Sequence, residues 1–390
     1  MSQVTQNKQA GPVPMLDVNR GNQELREEIL SALEAVVDSG RFLHGPEVAQ
    51  LESQVSQVCS VRHSIGCASG SDALLLALMA LDLGPGDEVI VPSFTFFATA
   101  SCAWRLGCKI VFADILPQTF NVDPRSVEAS ITPRTRVIIP VHLFGQCARI
   151  EEICKIAQRR EIPVIEDVAQ AIGAAYHGRP AGTWGQMGCL SFYPTKNLGG
   201  FGDGGMLTTN IDTMADRLRL LASHGMRPRY YHQVVGINSR LDTLQAAVLS
   251  VKIRRLDDYT RARQQNAQRY YELFEQAHVQ DSIALPICEP HARHVWNQYG
   301  IRVRDGRRDA LKKYLQDEGI GCEVYYPVPL HQQQCFQSCG FPTGSLPQTE
   351  LAAQEILNLP IYPELTEFEQ ERVVERIARF YRESYSRAAA

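Results

Sequence analysis

Four short segments carry side chains that could do chemistry together. The first, CASGSDALLLAL from Cys67, runs from an apolar stretch through small residues into strong helix formers. Gly70, Ser71 and Asp72 fall at the helix start, where free backbone N–H groups and the helix dipole favour an anion. The competing reading makes Ser71 a plain N-cap. The second, PVIEDVAQ from Pro163, ends a β-branched strand in Glu166 and Asp167, with Gln170 three residues on. Ligands in open α/β sheets bind outside the carboxyl ends of strands. An acid there could stabilise a cationic ring nitrogen; otherwise it is a loop acid or a cap.

The third, SFYPTKNLGGFGDGG from Ser191, holds Lys196 in a tight glycine-rich loop after a strand. Lysine forms Schiff bases with carbonyl groups, although a lone lysine is usually a solvated charge. The glycines are no dinucleotide fingerprint, because the β-like run Met206–Thr209 follows them and not a helix. The fourth, GINSRLDTLQAA from Gly236, leads a polar turn into a long helical run. Asn238 could cap that helix or bind an anion, and Arg240 could hold phosphate or carboxylate bidentately. A capped helix with a surface arginine is the plain alternative. His331, Cys335 and Cys339 recur at spacings of four. They lack a fourth ligand and sit among loop signals, so no metal is expected.

The elements that must position these groups alternate. β-rich runs fall at Glu88–Val91, Lys109–Phe112, Arg136–Val141, Pro163–Ile165, Leu190–Tyr193 and Met206–Thr209. Helical stretches lie between them, from Asp72, Phe97, Ile150 and Thr213. This predicts an α/β domain whose mostly parallel central sheet is flanked by helices. A single helical run from Leu241 to about Ala277 should bridge to a smaller C-terminal α+β domain. That domain is expected to hold strands at Tyr299–Val303 and Gly321–Tyr326 and helices near Arg308–Glu318 and Glu367–Tyr385. The expected division is a flexible arm over 1–20, a large α/β domain over 21–250 and a small domain over 251–390.

The chain has 390 residues, 39 basic against 43 acidic, and a formal net charge of −4. That balance argues against a broad nucleic-acid footprint. With 44% hydrophobic residues a core forms without metals or disulfides. No apolar run is long enough to span a membrane. The first residues show no secretory h-region, and the 11 cysteines form no C-x-x-C pair. The expected compartment is cytoplasmic.

In this order and at these spacings, the four segments resemble the fold type I pyridoxal-phosphate enzymes. More narrowly they resemble the DegT-like nucleotide-sugar aminotransferases. PSFTFFATA from Pro92, EDVAQAIGA from Glu166 and YYPVPLHQQ from Tyr325 extend the likeness from Pro46 to about Tyr362. The resemblance implies pyridoxal 5'-phosphate as cofactor. Lys196 would hold it covalently and, once displaced, move the proton. Asp167 would pair with the pyridinium nitrogen, Gln170 would lie beside the ring hydroxyl, and Phe96 would stack on the ring. Phe94 and Phe97 would be core residues. The phosphate would lie against Gly70, Ser71 and Asp72, with Ser191 donating its hydroxyl.

By the same resemblance, Asn238 reaches the phosphate of a neighbouring subunit, so a homodimer shares its active sites. Arg240, His331 and His232 would line the sugar-nucleotide side. The run from His224 to Arg240 most resembles members acting on 3-keto sugars. The implied reaction turns a nucleotide-linked keto-sugar into an amino-sugar, with glutamate as amino donor. A related dehydratase branch carries histidine in place of the lysine, and Lys196 favours transamination. An aminotransferase of a non-nucleotide keto compound and a non-catalytic regulatory relative are the other readings.

Overall fold

The computed structural model describes residues 11–388. The strands β1 (His63–Cys67), β2 (Glu88–Pro92), β3 (Lys109–Ala113), β4 (Thr135–Ile138), β5 (Ile165–Asp167), β6 (Met187–Ser191) and β7 (Gly205–Thr209) build the central sheet. Two ladders, β1-β7-β6-β5 and β4-β2-β3, are joined by parallel bridges at Ile138–Val164 and Val141–Asp167. Only β7 runs antiparallel to its neighbours. A parallel sheet is covered on both faces, and its strands read as continuous apolar runs. Val89, Ile90 and Val91 of β2 are accordingly at most 1% exposed. Each such side chain contributes ~1.5–3 kcal/mol of burial.

The flanking helices are α1 (Arg26–Ser39), α2 (Pro46–Cys59), α3 (Gly70–Ala80), α4 (Ala98–Arg105), α5 (Ile150–Gln158) and α6 (Asp212–Ala222). The α/β class with a mostly parallel sheet is as expected. Strand β1 was not legible: HSIGC is short and mixes polar with apolar residues, and it gains its place by pairing along β7. Strand β5 ends two residues later than expected, which makes Asp167 its last residue.

The long helical run is broken. Helix α7 (Thr243–Lys252) ends in a 3-10 turn, Ile253–Arg255, before α8 (Leu256–Ala277). Asp257 and Asp258 in the first turn of α8 complement its new N-terminus. Helix α8 carries Tyr270 and Phe274 into a second core with Tyr299. That core rests on a small antiparallel sheet of β8 (Ile283–Ala284), β9 (Tyr299–Val303) and β10 (Ile356–Leu359). Helices α9 (Arg308–Asp317) and α10 (Glu367–Ala388) pack beside it.

The expected strand over 321–326 reduces to one bridge, Glu323–Asn358. The Tyr325 N–H goes to the Asn358 side chain, 3.2 Å away, and so does not extend a ladder. The segment after residue 250 also returns to the large domain. Ala292–Arg293 pairs with Ala175–Tyr176, and Phe336 packs on Phe97 and Phe112. Of the expected flexible arm, residues 1–10 lie outside the described residues. From residue 11 the chain is tied down, with Val13 buried and bridged to Ile320. Among the described residues no helix is long and apolar enough to cross a membrane.

Candidate active site

The carboxyl ends of β5 and β6 and the start of α3 frame the site. Strand alternation sends Glu166 and Asp167 to opposite faces. Asp167 is 5% exposed. Its Oδ2 accepts from Thr99 Oγ1 at 2.8 Å and its Oδ1 from the Ala169 N–H at 3.1 Å. Burial pushes its carboxyl above the usual carboxylate range, and these hydrogen bonds and the Lys196 charge oppose that rise. Lys196 sits partly buried in the loop after β6, its N–H bonded to the Tyr193 carbonyl at 2.9 Å. Burial lowers the proton affinity of its amine, and the Asp167 charge partly restores it. Among the described residues no hydrogen bond or ion pair engages its Nζ.

The loop itself is rigidly held. Asn197 donates to the Val295 carbonyl at 2.9 Å, and buried Lys252 donates to the Gly199 carbonyl at 2.6 Å. A Cβ on Gly199 would meet the Pro194 carbonyl oxygen at 2.3 Å, so the turn needs glycine there. These contacts fix the backbone of the loop without using the Lys196 amine.

Helix α3 begins at Gly70, and its N-cap is Ser69, whose Oγ accepts from the Asp72 N–H at 3.1 Å. Ser71 is therefore not the cap. With Asp72 capped, the N–H groups of Gly70 and Ser71 have no intrahelical acceptor. Ser191, at the end of β6, faces this terminus, and a Cβ on Gly70 would lie 2.7 Å from its Cβ. The cradle of two N–H groups and one hydroxyl suits a phosphate, and an alanine at residue 70 would fill it. Phe96 is 58% exposed, whereas Phe94, two residues earlier, is 1% exposed. Phe97 was expected in the core, but it is 44% exposed and lies against Phe336. Gln170 Oε1 accepts from the Phe144 N–H at 2.7 Å, and its Nε2 lies 3.5 Å from the Tyr326 hydroxyl.

The expected substrate residues sit in different settings. His331 is an interior residue, 2% exposed. Its Nδ1 lies 2.7 Å from Ser93 Oγ and its Nε2 3.3 Å from Glu350. With both ring nitrogens committed it joins YYPVPLHQQ to the end of β2. Among the described residues no cluster is arranged to hold a metal. His232 is exposed, its Nδ1 2.9 Å from the His224 carbonyl. Arg240 is partly buried, and its Nε has no hydrogen-bond partner among the described residues. Asn238 is exposed, while the next residue, Ser239, accepts from the Ala68 N–H at 3.1 Å. That turn thus lies beside the start of α3 in its own chain.

Several residues of this framework carry no sequence signal of their own. Thr95 and Thr99 sit in PSFTFFATA, where only the aromatics drew notice. Glu166 is a clasp on the far face of β5, 0% exposed. It accepts from the N–H groups of Gly182, Trp184 and Gly185 at 2.7–2.8 Å and lies 2.8 Å from His142 Nε2. His142 Nδ1 accepts from Ala148, so Nε2 carries the proton toward Glu166. Glu166→Gln would turn one acceptor into a donor facing N–H groups. The expected loss is about 3 kcal/mol, seen as a lower urea midpoint. An unchanged midpoint would contradict the clasp.

Comparison with known proteins places the chain in a family. A 50% identical relative, the Pleiotropic regulatory protein of Geobacillus stearothermophilus, aligns over 95% of this chain and 99% of its own. The UDP-N-acetyl-3-dehydro-alpha-D-glucosamine 3-aminotransferase of Acidithiobacillus ferrooxidans is 42% identical over 94% of this chain and 97% of its own. The crystal structure of NtdA from Bacillus subtilis with bound cofactor PMP superposes with a TM-score of 0.88 at 35% identity, covering 95% of this chain and 85% of that one. The DegT/DnrJ/EryC1/StrS aminotransferase family profile matches residues 23–378, and the chain belongs to that family.

Proposed function

We propose that this aminotransferase uses pyridoxal 5'-phosphate to convert a nucleotide-linked 3-keto-sugar into the corresponding amino-sugar, with glutamate as amino donor. The observation that carries the reading is the pairing of Lys196 and Asp167. One partly buried amine, with no hydrogen-bond or ion-pair partner among the described residues, and one buried carboxylate each feel the other's charge. Bound there, the cofactor supplies a carbonyl for amine exchange and an electron sink for the adjacent carbon. Lys196 would hold it covalently and, once displaced, would give and take the proton as the neutral amine that burial favours. Asp167 would hold the proton on the ring nitrogen. Gly70, Ser71 and Ser191 would bind the phosphate, Gln170 would lie beside the ring hydroxyl, and Phe96 would cover the ring face.

The 3-keto position and the nucleotide rest on the Acidithiobacillus relative. A regulatory name on a relative does not remove the need to explain Lys196 and Asp167, because a binding module needs no electron sink. The purified protein should be yellow, and borohydride should bleach it and tag Lys196. A colourless protein that takes up no pyridoxal phosphate would favour the regulator.

The reading extends to a homodimer with shared sites. Asn238 is exposed and free to meet a second copy, and Arg240 lies two residues on. The bond from Ala68 to Ser239 favours the alternative, in which Asn238 serves its own subunit. Mixing separates the two. Lys196→Ala chains and chains altered at both Asn238 and Arg240 are each inactive. In shared sites, a mixed dimer has one site with both defects and one with neither. Random exchange makes about half the dimers mixed, so activity should recover to roughly a quarter of wild type. No recovery after demonstrated exchange places Asn238 and Arg240 in their own subunit's site.

A further inference from the structure

Asp167 is held by two donors, and one of them ends a chain of hydroxyls. Thr99 Oγ1 lies 2.8 Å from Asp167 Oδ2, and Thr95 Oγ1 lies 3.3 Å from Thr99 Oγ1. Thr99 is 0% exposed and Thr95 2%. An ionised carboxylate only accepts, so Thr99 donates to it. A hydroxyl has one proton, so the contact with Thr95 has Thr95 as donor. The direction is fixed from Thr95 through Thr99 to Asp167, and each bond polarises the next. One turn of chain entering α4 sets the spacing that makes the relay.

We propose that Thr99, backed by Thr95, is a positioning residue that fixes the orientation and the negative charge of Asp167 toward the cofactor's ring nitrogen. This rests on the pyridoxal-phosphate reading of the site. Burial works against the Asp167 charge, and the Thr99 hydroxyl works for it. The other groups that sense this carboxylate are Lys196 and His142, which favour its ionised form, and Tyr326, Cys102 and Cys189, which buried surroundings keep neutral. None of these hydrogen-bonds to it. Thr99 is therefore the one side-chain donor to Asp167 among the described residues. Its bond to Oδ2 and the Ala169 bond to Oδ1 hold the carboxylate plane, and each oxygen keeps a further lone pair for the ring.

The test uses holoenzyme loaded with pyridoxal phosphate labelled with 15N in the ring. The ring-nitrogen chemical shift is followed across pH beside kcat and KM. Wild type should show a protonated ring nitrogen. Thr99→Val should move the shift toward the neutral form and lower kcat about 10- to 100-fold with little change in KM. Thr99→Ser should restore both, and Thr95→Val should move the shift the same way by less. A wild-type shift and kcat in Thr99→Val, or a loss that Thr99→Ser does not rescue, overturns the inference. If Thr99→Val does not fold, Thr95→Val decides, and an unmoved shift overturns it equally. A wild-type protein that takes up no cofactor defeats the functional reading and this inference with it. A normal holoenzyme with an indifferent Thr99 defeats only the inference.

Discussion

Lys196→Ala should abolish turnover while leaving the fold intact. The Lys196 amine has no protein partner among the described residues, and its loop is held by Asn197, Lys252 and Gly199. Removing the side chain therefore breaks no contact that the fold depends on, and stability should change by less than about 1 kcal/mol. The chemistry loses both its covalent anchor and the group that moves the proton. General acid–base work alone is worth up to about ten-thousand-fold, so the fall in kcat should be at least that large. Rates, a melting curve and peptide mapping after borohydride treatment check this together. A borohydride tag on another lysine would remove Lys196 from its role.

Asp167→Asn should cost at least about a hundredfold in kcat. The amide keeps the shape and removes the charge. Loss of one buried, charge-assisted hydrogen bond, ~2–3 kcal/mol, already accounts for that factor. The protein should still fold, because the backbone bonds of Asp167 to His142 and Pro140 do not involve its side chain. The kinetic comparison is decisive only beside a binding measurement for the cofactor, since weaker binding alone would be overcome by excess pyridoxal phosphate. A near-wild-type kcat at saturating cofactor would take Asp167 out of the mechanism.

The family and the α/β class were legible because several weak signals agreed. Lys196, Asp167 and Gly70 each had an ordinary explanation alone, and their order along the chain removed it. What stayed hidden depends on tertiary contact. His331 looked free in a polar loop, but the fold closes Ser93 and Glu350 around it. Ser71 reads as the cap until the backbone shows that Ser69 precedes the first helical turn. Glu166 reads like any strand-end acid, and its clasp is made by N–H groups at 182–185 that no local pattern announces. Thr99 meets Asp167 across 68 residues of sequence. The break between α7 and α8 falls where the apolar stripe steps five residues, from Val251 to Leu256, with no glycine or proline to mark it.

The central claim, transfer of an amino group to a nucleotide-linked keto-sugar, is tested most directly by following nitrogen. The holoenzyme is incubated with a mixture of 15N-labelled amino acids and a panel of UDP- and dTDP-linked 3-keto-sugars, and the nucleotide products are read by mass spectrometry. The account predicts a nucleotide amino-sugar carrying 15N, formed by wild type and absent with Lys196→Ala. A cofactor-loaded protein that transfers no label to any sugar of the panel, or that removes a sugar hydroxyl, would contradict it.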